Sequence, residues 1–378
     1  MYQKRLTALY EFNKIGDVKI ESLEKYIEHI VKIDTFSRKY NFDTRYLEHC
    51  SGLPSRWSKS WLRDSFAKSK GKTADLPFIK VNQCFLRNDK DFILCLDKDP
   101  RISAEISHGS FDYSEMSRFA ENDEKPNYII NDGIVIPHIS TYNIWHHFVE
   151  LISIANEIAK NKNLKLDKFI FIPEMEDTKE LLHLLSIEDR VKTFPIQKNM
   201  LLINSYIVTG VHDEILPIKC LKDSIKQIVE STEIKNNQFH IESIFLSRGD
   251  KSLNRRNLTN EEDVISALKK KLPGLEINKT GFGDLKDNIS KMVNAKYAIS
   301  PQGTQLYFNC LFMKKPKIIW ELVSDNYYGL TVGELVANFL NCKFIRSSTK
   351  SIEPGYPIYK DQVADIDSLK SSLDELEI

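Results

Sequence analysis

Two stretches in the C-terminal half of the sequence decide the fold: FLSRGDKSLNRR at residues 245–256 and YAISPQGTQL at residues 297–306. Each begins with a short apolar run, typical of a buried parallel strand, and continues with small or cationic residues where that strand would end. A third run, KIIWE at residues 317–321, has the same form. Open α/β sheets bind ligands at the carboxyl ends of their strands, where the strand order reverses. The pattern therefore predicts a site for a nucleoside diphosphate at this edge.

The composition excludes several classes of protein. The chain has 378 residues, enough for two domains, and its 53 basic and 53 acidic side chains give no net charge. A nucleic-acid partner is not expected, because such proteins carry a basic excess. The six cysteines form no C-x-x-C pair, so neither a disulfide framework nor a zinc site is expected. Apolar runs are too short to span a bilayer, which favours a cytoplasmic protein, with peripheral docking at the inner face of the membrane left open.

Strand-like and helix-like segments alternate along most of the chain, which predicts the α/β class. In the second half of the chain, strands are expected over residues 243–247, 275–278, 297–300, 317–321 and 343–346. We expect a first domain over residues 1–230 and a second over 231–378, joined at the polar segment 231–238.

Three further expectations concern local structure. Apolar spacing predicts helices over residues 17–33 and 40–49, and polar composition predicts a loop over 52–75. A helix is expected to begin near residue 260 with a capping box, in which Glu262 returns a hydrogen bond to the backbone of Thr259.

The segment after the strand at 297–300 is the predicted phosphate site. Ser300 ends this strand, and Gln302, Gly303, Thr304 and Gln305 lead into a helix. The first N–H groups of a helix bind anions, and a glycine lets a phosphate approach closely. The alternative is an ordinary turn between a strand and a helix.

Cationic residues follow the strand that ends at Ser247, with Arg248 nearest to it and Arg256 further along the same loop. A preset Arg stabilises the charge that develops on a departing diphosphate. Glu321 ends the strand predicted over residues 317–321. It is expected to accept hydrogen bonds from the ribose hydroxyls. The alternatives are a charged surface loop for the arginines and a solvent-facing carboxylate for Glu321.

A helix predicted over residues 143–160 carries His146 opposite its apolar face, with Glu150 one turn later. A neutral histidine that a carboxylate orients is suited to act as a general base near pH 7. The alternative is a pair of solvated side chains.

A separate alternative site is Asp97-Lys98-Asp99. D-x-D pairs hold a divalent metal on the donor in one class of sugar transferases, because carboxylate oxygens suit hard cations. The same spacing recurs at Asp89 and at Asp365, so the motif by itself is weakly specific.

These motifs together resemble glycosyltransferase family 61, over residues 90–325. The positions that carry the resemblance are Asn143-x-x-His146, Ser247-Arg248, Arg256, Asn260-Glu261, Ala295, Gly303, Leu306, Phe312 and Glu321. The resemblance implies a GT-B-like architecture, with two Rossmann-like domains facing across a cleft and the donor held by the second. It also implies inverting transfer from a nucleotide sugar, such as a UDP-sugar, to an oligosaccharide or glycolipid acceptor, with no obligatory cofactor or metal.

The residue patterns and the resemblance together assign roles to individual residues. His146, Glu150 and Arg248 would be catalytic, and the donor would be bound by Ser247, Arg248, Arg256, Ser300, Gln302, Gly303, Thr304, Gln305 and Glu321. The short chain is similar to the bacterial members, whose acceptors include capsule and lipopolysaccharide glycans. Two positions depart from the family pattern: Gln302-Gly303-Thr304 stands in place of His-Gly-Ala, and His147 in place of an aromatic residue. These departures leave open a catalytically inactive protein that binds glycans or nucleotides.

Overall fold

The computed structural model of the protein describes residues 27–36, 73–86, 94–96, 128–136, 144–164, 166–195, 200–208, 216–233, 241–248, 257–278, 285–324, 332–352 and 361–374. These residues form two compact units, and the chain passes from one to the other between Ser224 and Ile225. We call them unit 1, up to Ser224, and unit 2, from Ile225 onward. Each unit combines a sheet with helices, so the predicted α/β class is confirmed.

Unit 1 is built on a sheet to which nine of the described strands contribute. The strands are β1 (Ile27–Phe36), β2 (Thr73–Leu86), β3 (Leu94–Leu96), β4 (Tyr128–Asn131), β5 (Ile134–Val135), β6 (Ile170–Pro173), β7 (Val191–Phe194), β8 (Met200–Val208) and β9 (Leu216–Pro217). Strands β7, β6, β5 and β8 lie side by side in that order and are parallel. In chain order this is 3-2-1-4, as in one half of a doubly wound fold. On the far side of β8 the sheet continues with antiparallel strands β2, β1 and β9.

Among the described residues, two helices lie in unit 1, and a third crosses from unit 1 into unit 2. Helix α1 consists of three consecutive segments, Ile144–His146, His147–Ile152 and Ser153–Lys160. Its middle segment is a π-helix, a form that occurs often at functional sites. Helix α2 covers Thr178–Leu184, and α3 covers Ile218–Glu233. A short 3₁₀ turn, Lys162–Leu164, follows α1.

Unit 2 is built on a second sheet, to which six of the described strands contribute. The strands are β10 (Ser243–Leu246), β11 (Leu275–Asn278), β12 (Tyr297–Pro301), β13 (Ile318–Ser324), β14 (Lys343–Ser351) and β15 (Gln362–Ala364). The helices are α4 (Glu261–Lys271), α5 (Leu285–Val293), α6 (Thr304–Cys310), α7 (Val332–Phe339) and α8 (Ile366–Asp374). The strand order is β11-β10-β12-β13-β14-β15, with β15 alone antiparallel to its neighbour. The five parallel strands have the chain order 2-1-3-4-5, so the order reverses between β10 and β12.

The core of unit 2 explains why its strands are nearly continuous apolar runs. Phe245, Ile299 and Trp320 lie on adjacent parallel strands and are almost completely buried. Because helices cover a parallel sheet on its faces, both sides of each strand must be apolar. The indole N–H of Trp320 donates to Ser347 Oγ at 2.9 Å, which satisfies the one polar group of that side chain. The predicted strand at 275–278 is confirmed residue for residue as β11.

The helix predicted over residues 17–33 is wrong where the structure describes it, because Ile27–Phe36 is strand β1. Apolar residues in this segment fit helical spacing, but several of them are β-branched, and β2 supplies an antiparallel partner for the strand. The loop predicted over 52–75 is also wrong at its end, since β2 begins at Thr73. The predicted helix over 40–49 lies outside the described residues.

The capping box predicted at the start of α4 is also wrong. The backbone N–H of Thr259 donates to the carbonyl of Gln362 at 2.9 Å, so it is not the partner of Glu262. Asn260 precedes the first residue of α4 and exchanges hydrogen bonds with the backbone of Ala364 instead. The start of α4 is therefore fixed by strand β15, which is distant in sequence.

Candidate functional site

The carboxyl edge of the sheet in unit 2 brings together the two stretches that the sequence singles out. The chain leaves β10 at Ser247 and Arg248, and it leaves β12 at Gln302 and Gly303. Because β10 and β12 are adjacent and the strand order reverses between them, these exits lie at the switch point of the sheet. This is the position at which doubly wound sheets bind their ligands.

A hydrogen bond joins the two exits. Nη1 of Arg248 donates to the backbone carbonyl of Gln302 at 2.8 Å. A Cβ atom added at Gly303 would overlap this same Nη1 atom. The guanidinium group therefore occupies the space that any side chain at position 303 would need. A larger residue at this position would push the guanidinium group of Arg248 away from the turn.

The turn that carries Gly303 is fixed to the strands on both sides. The hydroxyl of Ser300 lies 2.8 Å from the carbonyl of Leu246, to which it donates, and 3.0 Å from that of Pro301. The backbone N–H of Gln302 donates to the carbonyl of Leu322 at 2.8 Å. Ser300 is buried, so its hydroxyl joins β12 to β10 in the interior of the sheet.

Ser247 also has a structural partner. Its hydroxyl lies 2.9 and 3.0 Å from the two carboxylate oxygens of Glu261 and donates to them. Its backbone N–H donates to the carbonyl of Asn278 at 3.0 Å. Glu261 is in the first turn of α4, where the helix dipole favours a carboxylate. These bonds fix the residue that precedes Arg248.

Thr304 and Gln305 form the first turn of α6 and are half-buried. The N–H of Leu306 donates to the carbonyl of Gly303 at 3.1 Å, which starts the helix. The backbone N–H groups of a first helical turn have no acceptors within the helix. The anion site expected at this turn stays a prediction.

The ribose contact predicted for Glu321 does not fit the geometry. Glu321 has no exposed surface, and both of its carboxylate oxygens accept hydrogen bonds from the protein. The hydroxyl of Tyr307, on α6, donates to Oε1, and Nε of Arg346 donates to Oε2 at 2.7 Å. The carboxylate therefore anchors α6 to strands β13 and β14 and does not face a ligand.

Arg346 remains charged in this buried setting. Burial by itself lowers the pKa of its guanidinium, but the charge of Glu321, with further contributions from Tyr307 and Glu334, outweighs burial and raises the pKa. Glu321 and Arg346 are register partners on neighbouring strands. The sequence does not predict their ion pair, because nothing in a local pattern links residues on different strands.

In unit 1, the structure brings His146 and Glu150 together as the helical spacing predicts. Nδ1 of His146 and Oε1 of Glu150 are 2.7 Å apart, and their side chains are only 14% and 10% exposed. The pair is therefore largely shielded from water, unlike the solvated pair that was the alternative. A carboxylate on Nδ1 orients the ring so that Nε2 is the nitrogen that takes up a proton.

The neighbouring His147 is a structural residue. It is buried, and its Nε2 lies 2.8 Å from Oγ1 of Thr178. Burial lowers the pKa of His147 to about 3, so the ring is neutral at physiological pH. The hydroxyl oxygen of Thr178 also accepts a hydrogen bond from the backbone N–H of Met175 at 2.7 Å. His147, which stands where the family pattern has an aromatic residue, thus joins α1 to the start of α2.

Asp177, the residue before Thr178, is a buried carboxyl that no sequence pattern singles out. Burial, assisted by the charges of Glu176 and Glu180, raises the pKa of Asp177 to about 7. A single aspartate between a strand and a helix has no distinctive motif. Only the fold shows that its side chain is enclosed.

Several predicted residues lie outside the described residues. These are Arg256 and the D-x-D pair Asp97 and Asp99. Within the described part of the chain, no three His, Cys, Asp or Glu side chains are grouped so that they could hold a metal ion. No helix of that same part is long and apolar enough to cross a bilayer.

Comparison with known proteins supports the resemblance found in the sequence. Residues 144–320 match the model of the family described as Glycosyltransferase 61. The matched segment is slightly less than half of the chain and contains His146, Glu150, Arg248 and Gly303. A comparison with curated proteins finds no match.

We expect Glu321→Gln to destabilise unit 2 strongly, because Arg346 would remain buried without its counter-charge. Breaking a buried ion pair costs about 3–5 kcal/mol, and urea unfolding measures the loss. The exposed pair between Lys296 and Glu242, also 2.7 Å apart, provides the control. Glu242→Gln should leave the unfolding midpoint unchanged. If the two variants were equally stable, burial would not explain the role of Glu321.

Asp177→Asn should stabilise the protein above neutral pH. The pKa of Asp177 is about 7 in the folded protein, against an ordinary value of 3.8. Between these values the unfolded chain has lost the proton that the folded protein keeps, so the carboxyl lowers the free energy of unfolding as the pH rises. At pH 8 the variant should be more stable by up to about 4 kcal/mol, and the difference should shrink towards pH 5. Urea unfolding at both pH values tests this, with the exposed Asp189→Asn as control.

Proposed function

We propose that the protein is an inverting glycosyltransferase that moves a sugar from a nucleotide sugar to a glycan acceptor. The observation that carries this proposal is the position of Arg248 against Gln302 and Gly303, at the switch point of a doubly wound sheet. The match of residues 144–320 to the Glycosyltransferase 61 model supports the same reaction class.

In the proposed reaction, Arg248 and the backbone at Gly303–Gln305 bind the diphosphate of the donor. An oxygen of the acceptor attacks the anomeric carbon, and the bond from that carbon to the diphosphate breaks. The diphosphate leaves with the bonding electrons, and Arg248 stabilises its charge. The acceptor hydroxyl gives its proton to Nε2 of His146, which Glu150 orients through Nδ1. Arg256 is proposed as a second cation for the diphosphate.

The other donor-site residues take supporting roles in this proposal. Ser247 and Ser300 hold the strand exits in place through buried hydrogen bonds. Glu321 anchors α6 through Tyr307, so it positions the phosphate-binding turn and does not bind ribose. The scheme requires the GT-B-like arrangement that the resemblance implies, with the base and the diphosphate site facing one cleft.

The finer features of the proposal come from the resemblance. They are a UDP-sugar donor and an oligosaccharide or glycolipid acceptor of capsule or lipopolysaccharide synthesis. The length of the apolar runs favours a cytoplasmic protein, and peripheral docking at the inner face of the membrane is left open. No metal is required by the proposed chemistry. A transferase that uses Asp97 and Asp99 would lose activity in a chelator, which separates the two mechanisms.

The alternative of an inactive binding protein rests on the two departures from the family pattern. His147 has a buried structural role, and position 302 contributes its backbone carbonyl to Arg248. Neither departure removes a group from the proposed reaction. Incubation with a panel of nucleotide sugars distinguishes the two functions, because a transferase hydrolyses its donor slowly when only water is present.

Arg248→Ala should lower the rate of donor hydrolysis by about 10²–10³-fold, the usual effect of removing one group that stabilises transition-state charge. The fold should be retained, since Arg248 lies at the edge of the sheet, outside the apolar core of unit 2. Gly303→Ala should reproduce the defect without removing the charge, because its methyl group displaces Nη1. Lys270→Ala, which removes an exposed charge on α4, should be as active as wild type. If Arg248→Ala hydrolysed the donor at the wild-type rate, Arg248 would not be the residue that stabilises the departing diphosphate.

His146→Ala should lower the rate of sugar transfer by about 10²–10⁴-fold, as expected for loss of a general base. Glu150→Gln should cause a smaller loss, because an amide still bonds to the ring but no longer stabilises its positive charge. The chain offers a matched control in His183, whose Nδ1 lies 3.0 Å from Oε1 of Glu188 in an exposed pair. His183→Ala should transfer sugar at the wild-type rate. Equal rates for the two alanine variants would exclude His146 as the base.

A further inference from the structure

The middle of helix α1 is wound as a π-helix over His147–Ile152, between two ordinary α-helical segments. We call this segment the π turn. A π-helix bonds each backbone N–H to the carbonyl five residues earlier, and single π turns inserted in α-helices are frequent at functional sites. The backbone N–H of Ser153 has this register, since it donates to the carbonyl of Phe148. Glu150, the partner of the proposed base, lies within the π turn.

Ser153 holds the end of the π turn in this register. Its hydroxyl donates to the carbonyl of Val149 at 2.5 Å. In an α-helix this carbonyl, four residues earlier in the chain, would accept the backbone N–H of Ser153 instead. Ser153 has no exposed surface, so water cannot replace its hydroxyl. The two donors of this residue therefore bond to two successive carbonyls and keep the wider winding in place.

The start of the π turn is fixed from outside the helix. Nε2 of His147 lies 2.8 Å from Oγ1 of Thr178, the first residue of α2. Both side chains are buried. A buried hydrogen bond to a second helix prevents this end of the turn from sliding along the helix by one residue. The π turn thus has a side-chain bond near each of its ends.

The winding of α1 also determines where the proposed base points. Within residues 144–156, every residue except His146 is buried. His146 therefore reaches the surface of unit 1 from a helix that is otherwise enclosed. Its bond to Glu150, 2.7 Å between Nδ1 and Oε1, joins the first α-helical segment to the π turn. The geometry of this bond depends on how the turn is wound.

We propose that Ser153 is a positioning residue for the base, because its hydroxyl maintains the π turn that presents Glu150 to His146. The inference rests on the proposed function, which gives His146 the role of base. If the turn relaxed to α-helical winding, Glu150 would move relative to His146. Nδ1 would then lose the carboxylate that leaves Nε2 free to accept a proton. Since Ser153 is enclosed, it acts on the reaction only through these two residues.

NMR of isotope-labelled histidine nitrogens tests the proposal, because it shows which ring nitrogen of His146 carries the proton. In the full-length wild-type protein we expect the proton of the neutral ring on Nδ1, and His146→Ala identifies the signal. Ser153→Ala should give a mixture of both tautomers. It should also lower kcat for sugar transfer by about 10-fold to 10²-fold, the effect of a misplacement of about 1 Å, while the KM for the donor stays unchanged.

The chain offers a matched control in Ser290. Its hydroxyl donates to the carbonyl of Lys286, four residues earlier, at 2.7 Å within α5, an ordinary α-helix. Ser290→Ala should match the wild-type protein in both measurements. Thr178 supplies a second pair of variants. Thr178→Val should reproduce the effects of Ser153→Ala, whereas Thr178→Ser keeps the hydroxyl and should restore wild-type behaviour.

If Ser153→Ala kept both the Nδ1 tautomer of His146 and the wild-type kcat, Ser153 would have no positioning role. Equal losses in Ser153→Ala and Ser290→Ala would also overturn the proposal, since a general loss of helix stability would then explain both. Absence of sugar transfer and of donor hydrolysis in the wild-type protein would count against the proposed function instead. The tautomer measurement needs no turnover, so it would still decide the role of Ser153.

Discussion

The contact between Arg248 and the turn at Gly303 is the constraint on which the candidate donor site depends. The guanidinium group can hold this place at the switch point because position 303 has no side chain. Its bond to the carbonyl of Gln302 fixes the group at the junction of two strand ends. Gly303 therefore leaves room for the guanidinium group of Arg248, in addition to letting a phosphate approach closely.

The hydrogen bonds around this contact are important because a fixed cation stabilises the charge of a leaving group better than a mobile one does. A group that is already in place does not have to reorganise when charge develops on a leaving group. Ser300 joins β12 to β10, and Ser247 is held by Glu261. Tyr307 and Glu321 then attach α6 to the sheet. Side chains that the sequence suggests as donor contacts thus fix the backbone around Arg248.

The strand ends of unit 2 are predictable from the sequence, because buried parallel strands are short apolar runs with abrupt ends. The pair of His146 and Glu150 is also predictable, since helical spacing alone brings these residues together. Strand β1 is not, because its partner β2 is distant in the chain. Glu321 is assigned to the ribose because its strand end is visible in the sequence, whereas the pairing with Arg346 on the next strand is not.

A comparison of two buried carboxyl groups shows that burial by itself does not decide whether a carboxyl stabilises the fold. Glu321 has a donor on each oxygen and a full counter-charge, so its enclosure fixes helices and strands. Asp177 is also buried but has no such partners among the described residues. Its raised pKa follows from burial, with the charges of Glu176 and Glu180 assisting. Enclosure with a counter-charge lets Glu321 hold α6 against the sheet, whereas enclosure without one makes Asp177 lower the free energy of unfolding as the pH rises.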